Sequence, residues 1–140
     1  VKHFINAFGE EVMVDNTDKA IGIATRETNS VVRDYTVAPV YISLESKGCH
    51  EWLIEFSQEP TSLETFTQVL DSALKRVNDD YKAKRQGDIV MKLPKVISLP
   101  KNTFHDWLKS KGKLGGQNKV PRLSNDRKVI EEIKALLELL

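Results

Sequence analysis

His50-Glu51-Trp52-Leu53-Ile54-Glu55-Phe56 alternates cleanly, with Trp52, Ile54 and Phe56 on one side and Glu51, Leu53 and Glu55 on the other. That period of two predicts a strand. A few residues on, Pro60-Thr61-Ser62-Leu63-Glu64 reads as a capping box from Thr61 to Glu64. It opens a helix whose Leu63, Phe66, Val69, Leu70, Ala73, Leu74, Val77 and Tyr81 recur every three or four residues. Before the strand, Val31 to Ile42 is rich in β-branched and aromatic residues, and Pro39 argues for an edge position or a break. Ser43 to Cys49 is polar, contains Gly48 and reads as the turn between the two strands.

At the start of the chain, Phe4-Ile5-Asn6-Ala7-Phe8 and Val12-Met13-Val14 flank Gly9-Glu10-Glu11, a hairpin or a bulged strand. Asp15-Asn16-Thr17-Asp18 offers N-cap candidates for a helix carrying Ala20, Ile21, Ile23 and Ala24, ended by Asn29-Ser30. Towards the other end, Val96 to Leu99 is a short strand between Pro94 and Pro100. Asn102-Thr103 caps a brief helix with Phe104, Trp107 and Leu108 on one face. Lys111 to Arg122 is a loop, and Asn125 to Leu140 a last helix with Val129, Ile130, Ile133, Leu136, Leu137 and Leu140 inward. The order β-α-β-β-α-β followed by two helices predicts an α+β, two-layer fold of ferredoxin-like type. Its helices lie on one face of the sheet, with two C-terminal helices added. No internal repeat or low-complexity stretch interrupts it.

A chain of 140 residues makes one domain and can bury a core without staples. The single cysteine, Cys49, excludes an intrachain disulfide and fits a reducing, cytoplasmic setting. No apolar run approaches the length of a membrane-spanning helix. The opening Val1-Lys2-His3-Phe4 reads as the interior of a longer protein. The net charge of +1 divides along the chain. Residues 1–80 carry −7 and residues 81–140 carry +8, with 13 basic residues between Lys82 and Lys128. Such a split suits either an anion-facing end or a solvated basic face.

His3, His50 and His105 fall in separate elements and lack metal-ligand spacing, so no metal site is expected. Cys49 and His50 are strand neighbours, which point to opposite faces and make a poor thiol–imidazole pair. Lys111-Gly112-Lys113-Leu114-Gly115-Gly116-Gln117-Asn118-Lys119-Val120-Pro121-Arg122 is the richest segment. Its glycines permit the positive-φ backbone that turns N–H groups towards an anion, and Lys111, Lys113, Lys119 and Arg122 add charge. It is no Walker A loop, because it lacks the closing Gly-Lys-Ser/Thr. Pro121 fixes the chain beside Lys119 and biases Val120 to an extended form, which would aim the lysine. The competing reading is a solvated loop whose glycines only turn the chain.

Lys119-Val120-Pro121-Arg122, with Gly115-Gly116-Gln117-Asn118 before it, resembles the carboxy-terminal signature of the Gretchen Hagen family of acyl acid–amido synthetases. Lys2, Ile5, Gly9, Val12 and Asp18 resemble the hinge-proximal motif of the wider adenylate-forming superfamily. Tyr35-Thr36-Val37-Ala38 and Glu51-Trp52-Leu53-Ile54-Glu55 resemble the bacterial branch. The resemblance implies a two-domain enzyme of which this chain is the small, mobile, carboxy-terminal domain, residues 1–140. A large amino-terminal domain in cis would bind ATP with Mg²⁺ and a carboxylic acid. An amino acid would then attack the acyl-adenylate to give an amide. Lys119 takes the position of the catalytic lysine of adenylation, with Lys113, Gly115, Gly116 and Arg122 towards the nucleotide. Arg122 has a second and a third reading: pairing with an acid of the large domain, or anchoring its own loop. Gly9, Glu10 and Glu11 would face the adenylate and the amino acid after domain rotation, against the alternative of an exposed turn. The alternative function is a basic α/β module for phosphate or nucleic acid. Nucleic acid is disfavoured, because the strands show no exposed stacking aromatics.

Overall fold

The computed structural model describes residues 3–43, 47–113, 115 and 118–138. Trp52, Ile54 and Phe56 do share one face of a strand, and the rest of the fold is arranged around it. That strand, β4 (Lys47–Gln58), pairs antiparallel with β3 (Val31–Ser43) and parallel with β5 (Lys95–Leu99), giving the order β3-β4-β5. Val37 lies opposite Trp52 on one side, and Leu53 opposite Ile97 on the other. β3 is an edge strand, which is where Pro39 is tolerated. Residues 44–46 lie outside the described residues; Ser43 belongs to β3 and Lys47, Gly48 and Cys49 to β4, not to the turn expected there.

The α+β class and the β-α-β-β-α-β order hold, but the pairing is not the four-stranded ferredoxin arrangement. The first segment closes on itself as a separate hairpin, β1 (Phe4–Ile5) with β2 (Val12–Met13). Next come α1 (Val14–Thr28) and, after β4, the crossover helices α2 (Leu63–Val77) and α3 (Asp79–Arg85). Their Ala20, Ile21, Ala24, Phe66, Leu70, Leu74 and Tyr81 bury against Tyr35, Val37, Trp52, Ile54 and Phe56. The helices α4 (Thr103–Ser110) and α5 (Lys128–Leu136) cover the opposite face, where Phe104, Trp107, Ile130 and Ile133 meet Ala38, Leu53 and Leu99. With each large apolar side chain worth roughly 1.5–3 kcal/mol on burial, both faces contribute to stability.

Local chemistry corrects several boundaries. The cap of α2 is Ser62, whose Oγ accepts the Thr65 N–H at 3.1 Å, so the helix starts one residue beyond the Thr61 box. The apolar stripe expected to run unbroken to Tyr81 splits at Asn78, which is extended (φ −147°, ψ 112°). Asn78 stops α2 because its side chain is used three times, accepting the Tyr81 N–H at 2.7 Å and donating to the Glu11 carbonyl at 2.7 Å and to Asn16 Oδ1 at 3.1 Å. α1 begins at Val14 because Asn16 Oδ1 takes the Met13 N–H at 2.9 Å, and it ends on left-handed Asn29. α5 begins only at Lys128, since Asn125 is drawn away to hold β1 through the Asn6 N–H (3.0 Å) and the Phe4 carbonyl (3.2 Å). Of its expected inward set, Ile130 and Ile133 are buried, Val129 and Leu137 partly so, and Leu136 is 44% exposed. Leu140 lies outside the described residues.

Ion pairs tie the acidic half of the sequence to the basic half. Asp71 receives both Arg85 Nε and Nη2 at 2.8 Å and the Tyr81 hydroxyl at 2.6 Å. Glu51 receives Arg127 at 2.7 Å and Lys134 at 2.8 Å beneath α5. Burial alone would raise both carboxyls, but these hydrogen bonds and charges overcome it and hold both below the usual carboxylate range. A depressed folded-state pKa contributes stability that is complete above the ordinary values of 3.8 and 4.5 and is lost as pH falls through the lower folded values. The urea midpoint is therefore expected to hold steady from pH 7 to about 5 and to drop on acidification below about 4. Glu51→Gln should shallow that drop, and an acid limb unchanged in this variant would remove Glu51 from the account.

Candidate functional site

The glycine–lysine loop is tethered at its far end. Val120 is 4% exposed and packs into the core beneath α4 and α5. Beyond it the chain runs beside the β3 edge: the Val37 N–H donates to the Arg122 carbonyl at 2.8 Å, and the Ser124 N–H to the Val37 carbonyl at 3.0 Å. Thr36 Oγ1 adds a bond to the Pro121 carbonyl at 2.6 Å. Lys119 therefore projects from a backbone fixed by a buried neighbour, a proline and the sheet. Its side chain is exposed and, among the described residues, makes no hydrogen bond or salt bridge. It borders an open depression of about 360 Å³ with His3, Val14, Val120, Pro121 and Arg122. The arrangement is a positioned cation with no salt-bridge partner among the described residues, beside a space large enough for a phosphate group.

Arg122 is differently employed. Its Nη1 spans both Asp18 oxygens at 3.1 and 3.2 Å, its Nε lies 3.6 Å from Asp34, and its guanidinium sits 5.4 Å from the centre of the Tyr35 ring. The Tyr35 hydroxyl donates to Asp18 at 2.6 Å and lies 2.7 Å from Thr17 Oγ1. Burial pushes the Asp34 carboxyl up, against the Tyr35 N–H and the charges of Arg122 and Lys119. Of the three readings of Arg122, the contacts present are those of a loop anchor. Lys113 lies just beyond α4, exposed, with its N–H on the Leu108 carbonyl at 2.9 Å. Gly115 has φ +87° and its carbonyl accepts Asn118 Nδ2 at 3.4 Å. Gly116 lies outside the described residues.

The Gly9 turn lies elsewhere and is clamped. Phe8 and Glu10, on either side of Gly9, both point inward and engage Gly48 and His50, two residues apart on one face of β4. The Phe8 ring fills the space a side chain at Gly48 would need, where a Cβ would stand 2.6 Å from Phe8 Cζ and 1.9 Å from the Val40 carbonyl oxygen. Phe8 also leans on Tyr41, ring centres 5.2 Å apart. Glu10 is 0% exposed, with Oε1 on the Phe8 N–H at 2.7 Å and Oε2 on His50 Nε2 at 2.5 Å. This corrects the reading of Gly9-Glu10-Glu11 as an exposed turn or an acidic pair open to substrate. Gly9 and Glu11 are exposed, but Glu10 is a buried strut whose carboxylate is already committed. His50, expected to be incidental, is its partner. No local signal marks the pair, because forty residues separate its members. The structure brings Lys119 together with Arg122, Asp18, Asp34 and Val14, and leaves the Gly9 turn apart from them against α3 and the β3–β4 hairpin.

Comparison with known proteins supports the assignment of the domain. The family model described as the GH3 family C-terminal domain matches residues 15–128. No curated protein sequence matches the chain. Among solved structures, the chain is similar in fold to GH3.15 acyl acid amido synthetase, with TM-score 0.75 and 15% identity over 96% of this chain. It is likewise similar to AtGH3.15 acyl acid amido synthetase in complex with 2,4-DB, with TM-score 0.70 and 16% identity over 96% of this chain. The chain spans about a quarter of those proteins, 24% and 25% of their length.

Proposed function

The chain belongs to the GH3 family as its C-terminal domain, and on that premise we propose that it is the mobile lid of an ATP-dependent acyl acid–amino acid ligase. The observation that carries the reading is Lys119, held by Val120 and Pro121, exposed, and making no hydrogen bond or salt bridge among the described residues. When a carboxylate attacks ATP, negative charge grows on the α-phosphate oxygens and the departing pyrophosphate. A cation already in place stabilises that charge without reorganising, which is where electrostatic catalysis gains most. Lys119 supplies that charge, Arg122 keeps the loop on β3, and Lys113 and Gly115 flank the approach. ATP with Mg²⁺ and the acid are held chiefly by the large amino-terminal domain in cis.

In the second half-reaction the lid turns, and the Gly9 turn faces the acyl-adenylate while the amino acid's amine attacks its carbonyl carbon and AMP leaves. Glu11, exposed beside Gly9, stands where the amine arrives. Two structural features support two separate working faces: Lys119 and the Gly9 turn lie apart, and each is rigidly held. No membrane-crossing helix is present among the described residues. The reading as a nucleic-acid module is weakened at several of its basic residues and at its aromatics. Arg85, Arg122, Arg127, Lys111 and Lys134 are paired with carboxylates, and Trp52 and Phe56 are buried.

The test is carboxylic-acid-dependent exchange of pyrophosphate into ATP by the full-length protein, followed by amide formation when amino acids are added. The 140-residue domain alone should do neither, because one cation without the bound reactants provides no near-attack geometry. Acyl-adenylate formed by the isolated domain would sink this reading.

A further inference from the structure

Lys84, near the end of α3, belongs to no motif, yet it reaches the clamped turn. A Cβ at Gly9 would lie 3.0 Å from Lys84 Cε and 3.2 Å from its Nζ, so the end of the lysine lies directly over the glycine. Its backbone is fixed, the carbonyl accepting the Met91 N–H at 3.0 Å. The side chain is half-buried, and among the described residues its ammonium makes no hydrogen bond or salt bridge. The next residue, Arg85, is by contrast fully engaged by Asp71 and Asp88. Glu10, the buried carboxylate next to Gly9, is bonded to the Phe8 N–H and to His50 and makes no bond to Lys84. Partial desolvation of an unpaired cation costs free energy unless an anion completes it.

We propose that Lys84 binds the α-carboxylate of the incoming amino acid during amide formation. This rests on the reading above, in which the Gly9 turn faces the acyl-adenylate in the second half-reaction. The acceptor is a zwitterion whose amine must be free to attack, so its carboxylate is the permanent charge by which it can be held. An ammonium offers three donors to that group from a flexible stem. Gly9, with no side chain and φ +88°, leaves room for the ammonium over the turn, where the acceptor's carboxylate would meet it.

The experiment uses the full-length enzyme and preformed acyl-adenylate, with an amino acid and its carboxamide compared as acceptors in single turnovers. Lys84→Met keeps the apolar stem over Gly9 and removes only the charge. Half-saturating amino acid should rise roughly 10- to 100-fold, the scale of one charge-assisted hydrogen bond. The carboxamide should be affected little, and the preference for amino acid over carboxamide should collapse. Lys84→Arg should restore part of that preference, and pyrophosphate release in the first half-reaction should be unchanged throughout. If Gly9→Ala impairs amide formation while Lys84→Met leaves the acceptor preference intact, the turn is used as proposed and the role of Lys84 is overturned. If neither variant affects amide formation, the two-face reading falls and the role of Lys84 with it.

Discussion

In the full-length enzyme, Lys119→Ala is expected to slow acyl-adenylate formation by about 10²–10³-fold, the loss seen when one preorganised transition-state contact is removed. The size follows from the anchoring. Val120 is buried, Pro121 fixes the backbone, and Thr36 holds the Pro121 carbonyl at 2.6 Å, so the ammonium need not be gathered from a mobile loop at each turnover. The fold should not notice, because an exposed side chain without a described partner is worth at most about 0.5 kcal/mol to stability. Lys119→Arg should recover only part of the rate, since a planar fork does not replace a compact point charge. The measurement is single-turnover pyrophosphate release with thermal unfolding alongside. A loss below tenfold, with the melting temperature unchanged, would take the lysine out of the adenylation step.

The largest stability effect is expected at Gly48. An added Cβ would stand 1.9 Å from the Val40 carbonyl oxygen and 2.9 Å from its carbon, both backbone atoms, as well as 2.6 Å from Phe8 Cζ. No rotamer relieves a clash with the paired strand. Gly48 is also bonded on its other side, its N–H to the Val90 carbonyl at 3.0 Å and its carbonyl to the Lys92 N–H at 2.8 Å, so it cannot move that way either. Gly48→Ala should cost about 3 kcal/mol or more, at the upper end of overpacking changes. That corresponds to a fall in Tm of roughly 10 °C for a domain of this size. Adding Phe8→Ala should recover little, because the backbone clash remains. A Tm within about 2 °C of the parent would show that β3 and β4 separate there more easily than the structure implies.

The sequence carried the local periodicities well and the long-range partnerships poorly. Trp52, Ile54 and Phe56 share a face because strand geometry leaves no other choice. The helix beginning near Leu63 follows from its stripe. The break at Asn78 was hidden, because it comes from a side-chain bond to the Glu11 carbonyl across sixty-seven residues. Likewise nothing in Phe4 to Val14 says that its hairpin pairs with itself and stays out of the main sheet. The charge division between the two halves suggests an anion-facing end, and part of it is internal complementarity: Asp71 with Arg85, Asp18 and Asp34 with Arg122, Glu51 with Arg127 and Lys134. At the candidate site, Pro121 beside Lys119 was a readable signal for an aimed lysine. Nothing local marks Glu10 as buried, because its partner His50 lies forty residues away, and nothing local marks Lys84, which meets Gly9 only through the fold.

The account turns on one domain using two faces in succession, and two variants in two assays test that most directly. Lys119→Ala and Gly9→Ala are each measured in full-length enzyme from ATP and acid to acyl-adenylate, and from preformed acyl-adenylate and amino acid to amide. Gly9→Ala places a side chain at φ +88°, which costs about 1 kcal/mol and leaves the domain folded while distorting the turn. The predicted result is a crossing: Lys119→Ala fails in the first assay and is close to normal in the second, and Gly9→Ala does the reverse. Equal losses in both assays for Lys119→Ala would mean that the lysine stays at the reacting centre throughout, and the two-face account would be wrong.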